Sequence, residues 1–432
     1  MQMDRIHLKS PKNWINDPNG FIYYKGQYHL FYQYFPYGLQ WGRMHWGHAV
    51  SNDLVNWEHL DIALYPSKTD DRSGCFSGSA VEYNERLYLF YTGVNYTVEN
   101  PENINCMIGD GFISSQLMIT SYDGITFDNL ADKKTIISPI SDNSIGSEVN
   151  TRDPKVWRGK DAWYMILGST IENTGRFLFY KSSDLEKWEY VNFCEKSGIG
   201  WMWECPDYFE VDNRGIVIFS PIGILDDGLM YDSAAVCCLA DFDEKSCTMK
   251  LADEYQIFDY GIDLYAPQST VDANGKRVVI AWARMPKAVD DKWIGMMSIP
   301  RVVEVKDEHI YFRPHPNVRN IFSTITDKPS HDKEYMLRTI LKNGEEINIG
   351  GYVIKRENDR IITDRTAVFP QDSNYRYTAE TPVIRDGYSL EIYVDSNLIE
   401  VFVNDGEYVI SSVVYGLSDK ITGKNFTVYS AE

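Results

Sequence analysis

Three carboxylate side chains in proline-containing segments are the residues of this sequence best suited to acid–base or nucleophilic chemistry. Asp17 and Asp153 each directly precede a proline, and Glu204 stands two positions before one. Pro18 pushes Asp17 towards an extended conformation, which holds that side chain in a stiff segment. A lone aspartate of this kind is normally a turn residue. Three carboxylates at one place would repel one another, so their convergence would indicate a function.

An acidic trio suits two kinds of chemistry. Hard oxygen ligands could hold Ca²⁺ or Mg²⁺, whereas a pair of carboxylates could hydrolyse a glycoside, one protonating the leaving group and the other facing it. Aromatic residues close to the carboxylates in the sequence or in the repeat offer flat surfaces for sugar rings. They are Trp14, Trp41, Trp46, Phe76, Trp201, Trp203 and Tyr265. This composition favours sugar binding, and we predict no metal and no cofactor.

The elements that would position these residues come from a five-fold repeat. Each copy has a turn followed by a strand rich in aromatic or β-branched residues, and the equivalent positions are Phe31, Phe90, Ile166, Phe219 and Ala281. Strand-like alternation dominates and helical periodicity is scarce. Five units of about four strands predict an all-β fold, a five-bladed β-propeller, in which radial repetition protects the sheet edges. The alternative is a β-sandwich with coincidental hairpins.

A second marker accompanies the repeat. Asp53, Asp123 and Asp184 each lie in a turn just beyond a predicted third strand, with an aromatic residue four positions later. The first strand of each unit should then line the axial channel. Asp17, Asp153 and Glu204 stand near the starts of three such strands. We therefore predict that equivalent positions bring them to one channel mouth.

The repeat markers stop near residue 300, where the organisation of the chain changes. We predict a propeller catalytic domain over residues 1–298, a linker over 299–325 and a C-terminal β-sandwich over 326–432. Alternating segments and the hairpin turn Asn404-Asp405-Gly406 favour the sandwich. No acidic or histidine cluster of catalytic character occurs in that last segment, which indicates a structural role.

Composition excludes several classes of partner. The 432 residues carry a formal net charge of -20, which disfavours nucleic acid and anionic membranes. No apolar stretch is long enough to cross a bilayer, and the first twelve residues do not read as a signal peptide. The seven cysteines show no zinc-ribbon spacing. We expect a cytoplasmic protein whose partner is a small sugar, and the sequence is silent on oligomeric state.

Four motifs together identify a family resemblance. They are Trp14-Ile15-Asn16-Asp17-Pro18-Asn19-Gly20, Phe76-Ser77-Gly78-Ser79, Arg152-Asp153-Pro154 and Glu204-Cys205-Pro206-Asp207. Each is weak alone, but in this order and spacing they resemble glycoside hydrolase family 32, the β-fructofuranosidases. The resemblance extends over the whole chain, since that family joins a five-bladed propeller to a β-sandwich.

The resemblance implies a role for each carboxylate. Asp17 would be the nucleophile, Glu204 the general acid and then the general base, and Asp153 would hold hydroxyl groups of the fructosyl unit. Residues matching the fructose pocket are Asn16, Gln33, Trp41, Phe76, Ser77, Arg152, Tyr265 and Trp282. Glu204 must carry a proton, which an apolar wall and two neighbouring negative charges would favour. Asp17 must stay ionised, so donors such as backbone N–H groups are expected around it.

The expected activity is retaining hydrolysis of sucrose, sucrose 6-phosphate or short fructo-oligosaccharides, with the Asp17 and Glu204 carboxyl groups about 5–5.5 Å apart. A phosphate would need a nearby cation, for which Arg43 and Lys287 are candidates, although each is more typical of a surface charge. The alternatives are a fructosyltransferase, an inverting arabinanase-like hydrolase and a non-catalytic carbohydrate-binding propeller.

Overall fold

The computed structural model of the protein describes residues 3–109, 111–225, 227–371 and 374–431. Its regular structure is almost entirely β-strand, with one short α-helix, Pro316–Asn320, and the 3-10 turns Thr69–Asp71 and Thr366–Val368. The described part of the chain has no helix both long and apolar enough to cross a membrane. The all-β prediction is confirmed.

Five antiparallel sheets, each built around four strands, follow one another along the chain. The first contains Asn13–Tyr24, Gln27–Phe35, His45–Ser51 and Asn56–Leu64. The second contains Gly74–Tyr83, Arg86–Tyr96, Phe112–Ser121 and Lys134–Ile137. The third contains Arg152–Arg158, Trp163–Ile171, Thr174–Ser182 and Glu189–Glu195. The fourth contains Met202–Val211, Arg214–Ile222, Val236–Asp243 and Thr248–Leu251, and the fifth Leu264–Val271, Arg277–Ala283, Arg301–Lys306 and His309–Pro314.

The first strands of the five sheets form a closed ring. Each contacts the first strand of the next sheet, and the last contacts the first. Short strands complete the sheets: Met3–Arg5 and Trp293–Ile294 join the first, Gln256–Ile257 the fourth and Met296–Met297 the fifth. The five-bladed propeller is therefore confirmed, and its innermost strands are the predicted ones.

The repeat found in the sequence corresponds to the second strand of each sheet. The residues aligned there are fully buried, since Phe31, Phe90, Ile166, Phe219 and Ala281 all have 0% exposure. A strand flanked on both faces by neighbouring blades must bury both sets of side chains, which explains its nearly continuous apolar character.

The aspartate marker forms the turn between the third and fourth strands. The Oδ1 atom of Asp53 accepts hydrogen bonds from the backbone N–H groups of Val55 and Asn56 at 2.9 and 2.8 Å. Asp123 and Asp184 make the same pair of contacts in the second and third sheets. The side chain thus replaces backbone partners in the turn, which is why aspartate recurs there.

Two further sheets form the C-terminal β-sandwich. One contains, in spatial order, Phe322–Ile325, Phe426–Ala431, Tyr335–Ile340, Ser389–Val394, Leu398–Val403 and Tyr408–Val413. The other contains Thr378–Glu380, Arg360–Asp364, Tyr352–Glu357, Glu346–Ile349 and Ile421–Gly423. Their facing sides bury Leu337, Ile354, Ile392 and Val401 completely.

The division between propeller and linker differs from the predicted boundary. Strands Arg301–Lys306 and His309–Pro314 are the outer strands of the fifth sheet, so the predicted linker over 299–325 contains two propeller strands. The repeat motif predicts a boundary at residue 298 because it ends there. The motif marks inner strands, whereas the outer strands of the last blade carry no such mark.

A buried ionic cluster joins the propeller to the sandwich. Glu400, from the sandwich, accepts hydrogen bonds from the backbone N–H of Ile299 at 2.7 Å and from Arg301 at 2.5 Å. The two ring nitrogens of His7 lie 2.9 Å from Glu400 and 3.0 Å from Asp395. Both partners are acceptors when ionised, so the imidazole must donate from both nitrogens and carry its charge. Burial opposes that charge, but the two carboxylates raise the pKa of His7 to about 9.

Candidate active site

A bulge at the same place in all five inner strands shapes the candidate site. In each case two consecutive residues stand opposite one residue of the second strand. The bulged pairs are Asn16-Asp17, Phe76-Ser77, Asp153-Pro154, Cys205-Pro206 and Ala266-Pro267. A bulge re-aims side chains and interrupts the ladder, and it leaves polar groups facing the channel.

The three carboxylates occupy different positions relative to these bulges. Glu204 stands just before a bulge, Asp153 is the first residue of one and Asp17 is the second of another. The expectation of equivalent positions is therefore wrong in detail. A shift of one residue normally turns a side chain to the other face of a sheet, but the extra residue of each bulge resets the alternation, so all three line one cavity.

Local backbone conformation supports this arrangement. Asp153 and Cys205 each precede a proline and have φ values of 66° and 48°, and Ala266 is similar at 50°. Residues other than glycine seldom adopt positive φ, which costs of order 1 kcal/mol or more. Three such residues therefore stand at equivalent places in three inner strands, at the bulges that shape the site.

Cys205 links two of the carboxylates. Its sulfur lies 3.5 Å from Oδ2 of Asp17 and 3.5 Å from Oδ2 of Asp153, and its backbone N–H donates to Asp153 at 2.9 Å. The hydroxyl of Ser77 donates to Asp17 Oδ2 at 2.6 Å. The donors to Asp17 are thus side chains, where the sequence led us to expect backbone N–H groups.

Glu204 has a more polar environment than predicted. Arg152 donates to its Oε1 from Nε and Nη2, at 3.1 and 2.8 Å, and the hydroxyl of Tyr265 donates to its Oε2 at 2.6 Å. These contacts hold both carboxyl oxygens of Glu204 in place. These donors stand where the sequence predicts an apolar wall. Arg152 also donates to the side-chain oxygen of Asn150 at 2.9 Å, and this contact holds its guanidinium towards Glu204. The Glu204 side chain keeps 21% exposure and so faces the cavity.

Burial raises the pKa values of the other two carboxyl groups, those of Asp17 and Asp153. It raises the pKa of Asp153 to about 7, with the charges of Glu204 and Asp17 adding to the effect and that of Arg152 opposing it. Burial also raises the pKa of Asp17, and the hydrogen bond from Ser77 opposes this shift. Like charges held close together favour protonation of at least one member.

This pKa shift predicts that Asp153 destabilises the fold above neutral pH. Because its folded-state pKa lies above its unfolded value, the folded protein loses stability as pH rises from about 4 to about 7. Asp153→Asn should therefore raise Tm at pH 8 and flatten its pH dependence over that range. Thermal unfolding monitored by circular dichroism measures this, with Asp161→Asn on an exposed turn as the control. A Tm at pH 8 equal to or below that of wild type would contradict it.

The cavity around the carboxylates has a volume of about 400 Å³, in the range of small-ligand sites. All eleven residues predicted for the site line it: Asn16, Asp17, Gln33, Trp41, Phe76, Ser77, Arg152, Asp153, Glu204, Tyr265 and Trp282. Trp14 and Trp201, two of the aromatic residues noted in the sequence, line it as well. Trp203 is fully buried in blade packing instead.

Sequence reasoning missed three lining residues. Asn150 stands two positions before Arg152 and orients it, a signal that was available beside the motif. Met107 lies in the segment between the second and third strands of the second sheet, and Phe112 is the first residue of that third strand. That segment contains no repeat or motif, so only the folded structure brings it to the cavity.

The two residues considered for phosphate binding lie elsewhere. Arg43 donates to the backbone carbonyl of Ile104 at 2.7 Å and to Glu99 at 2.9 Å, and so anchors the segment that carries Met107. The backbone of Lys287 pairs with the hydroxyl of Tyr415 in the sandwich. Neither residue lines the cavity.

Comparison with known families identifies both parts of the chain. Residues 7–314 match the family described as glycosyl hydrolases family 32 N-terminal domain, and residues 330–431 match glycosyl hydrolases family 32 C terminal. The chain is 32% identical to sucrose-6-phosphate hydrolase of Escherichia coli, over 95% of this chain and 88% of that protein. It is 31% identical to raffinose invertase of the same organism, over 99% and 91%.

Solved structures agree with these matches. A GH32 beta-fructofuranosidase from Bombyx mori superimposes with a TM-score of 0.83 at 29% identity, covering 99% of this chain and 93% of that one. Sucrose-6-phosphate hydrolase from Lactobacillus gasseri superimposes with a TM-score of 0.84 at 26% identity, covering 100% and 93%. Because the two family matches together run through nearly the whole chain, the protein belongs to glycoside hydrolase family 32.

Proposed function

We propose that the protein is a retaining β-fructofuranosidase that hydrolyses the fructosyl bond of sucrose, sucrose 6-phosphate or short fructo-oligosaccharides. The observation that carries this proposal is the convergence of Asp17, Asp153 and Glu204 on one sugar-sized, aromatic-lined cavity in a family 32 chain. A retaining mechanism needs two facing carboxyl groups, one as nucleophile and one as acid and base. The same geometry in a non-catalytic binding protein would leave the cost of gathering the charges unexplained.

In the first half-reaction, a carboxylate oxygen of Asp17 bonds to the anomeric carbon of the fructosyl unit. The bond from that carbon to the bridging oxygen breaks, and the bridging oxygen takes the proton of Glu204. The product is a fructosyl ester of Asp17 and a free leaving sugar. Glu204 must carry its proton for this step.

In the second half-reaction, the Glu204 carboxylate removes a proton from water, and the oxygen of that water attacks the anomeric carbon. The ester bond to Asp17 breaks, and its carboxylate is regenerated with net retention of configuration. Arg152 and Tyr265 donate hydrogen bonds to the two carboxyl oxygens of Glu204. These contacts orient Glu204 for the base role in this half.

The remaining lining residues bind the sugar. Asp153 accepts hydrogen bonds from ring hydroxyl groups and stabilises the positive charge that develops at the anomeric centre. Asn16 is held by the indole N–H of Trp14 at 2.8 Å, which fixes its amide towards the ligand. Trp41 and Phe76 pack edge to face with ring centres 5.6 Å apart and form one apolar wall. We also propose a cytoplasmic location, which suits small imported sugars.

The proposal is tested by supplying sucrose, sucrose 6-phosphate, 1-kestose and inulin to the purified protein. We expect fructose and its leaving sugar in equal amounts from sucrose, and nuclear magnetic resonance of the first product should show β-fructofuranose before mutarotation. Initial release of the α anomer would overturn the retaining mechanism. Leaving sugar without free fructose would instead indicate a fructosyltransferase, and no turnover of any substrate would favour a binding protein.

A further inference from the structure

The axial channel of the propeller has a second opening, on the face opposite the candidate active site. A cavity of about 560 Å³ lies there, and it is lined by the C-terminal halves of the same five inner strands. Contributing positions include Tyr23, Val81, Lys155, Tyr208 and Thr270. Among the described residues, none lines both this cavity and the active-site cavity. We call this second cavity the distal pocket.

The inner end of the distal pocket contains more positive than negative charge. Lys155, which is 8% exposed, forms an ion pair with the buried Asp207 at 2.9 Å and donates to the carbonyl of Ser269 at 3.1 Å. Asp207 also accepts from the backbone N–H of Ser269 at 2.5 Å. The single positive charge of Lys155 is thus matched by the single negative charge of Asp207. Arg277 adds a second cation beside them.

Arg277 lacks a carboxylate partner of its own among the described residues. Its guanidinium lies over the ring of Phe209, 4.8 Å from the ring centre, and its Nη1 is 3.5 Å from the hydroxyl of Ser269. Its Nε is buried and has no hydrogen-bond acceptor in the described part of the chain. A buried donor of this kind costs free energy until an acceptor reaches it.

The positive charge of Arg277 acts on the neighbouring Lys155. Burial lowers the pKa of Lys155, the charge of Asp207 opposes this shift, and the charge of Arg277 adds to it. Burial also lowers the pKa of Arg277, with Asp207 as the opposing charge. Two cations thus share one carboxylate in a poorly solvated place, and an additional anion would relieve both.

We propose that the distal pocket binds a small anion, an inorganic oxyanion or a carboxylate, between Arg277 and Lys155. The planar guanidinium offers parallel N–H donors that match two oxygens of such an anion. At the rim, Arg158 and Lys160 are outnumbered by three carboxylates, which are Glu82, Glu210 and Glu244. These rim carboxylates disfavour large polyanions, so the surplus of positive charge is confined to the inner end and selects a small ligand.

Binding there would connect two blades. Arg277 belongs to the second strand of the fifth sheet, whereas Lys155 belongs to the inner strand of the third. An anion held by both would bridge the channel and stabilise the folded state by mass action. The effect is separate from catalysis, because neither residue lines the candidate active site.

Thermal unfolding in the presence of phosphate or acetate, at ionic strength held constant with a bulky non-coordinating salt, tests the proposal. Wild-type protein should show a saturable rise in Tm with at least one of the two anions. Arg277→Gln should abolish that rise, and its Tm without added anion should not fall below that of wild type. Arg158→Gln, at an exposed rim position over Trp163, should keep the response.

Two results would overturn the proposal: a wild-type Tm that does not respond to either anion, or an Arg277→Gln response equal to that of wild type. If Arg277→Gln does not fold, equilibrium dialysis of radiolabelled phosphate against wild type and Arg277→Lys replaces it. Weaker binding by the lysine variant is then expected, because an ammonium group cannot reproduce the guanidinium fork. Equal binding would count against the site. Sucrose hydrolysis serves as an independent measure and should be unchanged in Arg277→Gln.

Discussion

Glu204→Gln is expected to lower kcat for sucrose by about 10²–10⁴-fold, the usual contribution of a positioned acid and base. The amide keeps the size of the side chain and an oxygen that accepts from Arg152 or Tyr265, but it can neither give a proton to the bridging oxygen nor take one from water. Release of glucose and fructose in a coupled assay measures the loss. Glu210→Gln, at the exposed far end of the same strand, is the matched control and should retain wild-type activity.

Two added reagents distinguish the acid and base roles of Glu204. An aryl β-fructofuranoside with a stable phenolate leaving group needs no protonation, so Glu204→Gln should still form the fructosyl ester from it. Azide, which needs no base, should then speed turnover and yield β-fructosyl azide. Asp17→Asn removes the nucleophile, and neither reagent should restore its activity. Unchanged sucrose turnover by Glu204→Gln, or equal rescue of both variants, would refute the assignment.

Glu400→Gln is expected to lower the free energy of unfolding by about 3–5 kcal/mol, the typical cost of removing one partner of a buried ion pair. Glu400 and Arg301 are both fully buried. The amide group would turn its NH₂ towards either the Ile299 N–H or the Arg301 guanidinium, both of which are donors. Urea unfolding followed by tryptophan fluorescence measures the change. Because Glu400 connects the two modules, separate transitions for propeller and sandwich are also expected.

The matched control is Glu357→Gln, which removes a surface ion pair with Lys355 whose side chains are 51% and 42% exposed. This variant should lower the free energy of unfolding by about 0–1 kcal/mol.

The effect of Glu400→Gln on the free energy of unfolding should also depend on pH. Since the folded-state pKa of His7 is raised to about 9, its stabilising charge is fully present below about pH 6.5 and is lost as pH rises through 9. The difference in free energy of unfolding between wild type and Glu400→Gln should therefore become smaller above pH 9. The prediction would be contradicted if Glu400→Gln lowered the free energy of unfolding no more than Glu357→Gln does.

The fold was predictable because its signals are local. Alternation of apolar and polar residues, turn aspartates such as Asp53 and Asp123, and five similar strand segments each depend on a few neighbouring residues. The blade architecture follows once these units repeat, since each sheet must bury both faces against its neighbours. The predicted end of the propeller was misplaced because the outer strands after residue 300 lack the repeated motif.

The candidate site was predictable in its members and less so in its arrangement. The motifs around Asp17, Asp153 and Glu204 mark the carboxylates, and the structure gathers them in one cavity. The carboxylates occupy three different register positions, and they face the same cavity because each inner strand has a bulge. A bulge exists only in the pairing with a second strand, which the sequence does not show. Met107 reaches the site through a segment anchored by Arg43, a residue that the sequence offered as a phosphate ligand.

The repeating strands, the family and the identity of the acidic trio can all be read from the order of the residues, because short-range patterns and ordered motifs carry that information. The pairing of charges, in contrast, becomes visible only in the folded chain. His7 and Glu400 are 393 positions apart in the chain, yet they form one buried contact, and Arg277 acquires its surplus charge only beside Lys155. Electrostatic free energies depend on distance and burial in space, and a linear pattern of residue types records neither.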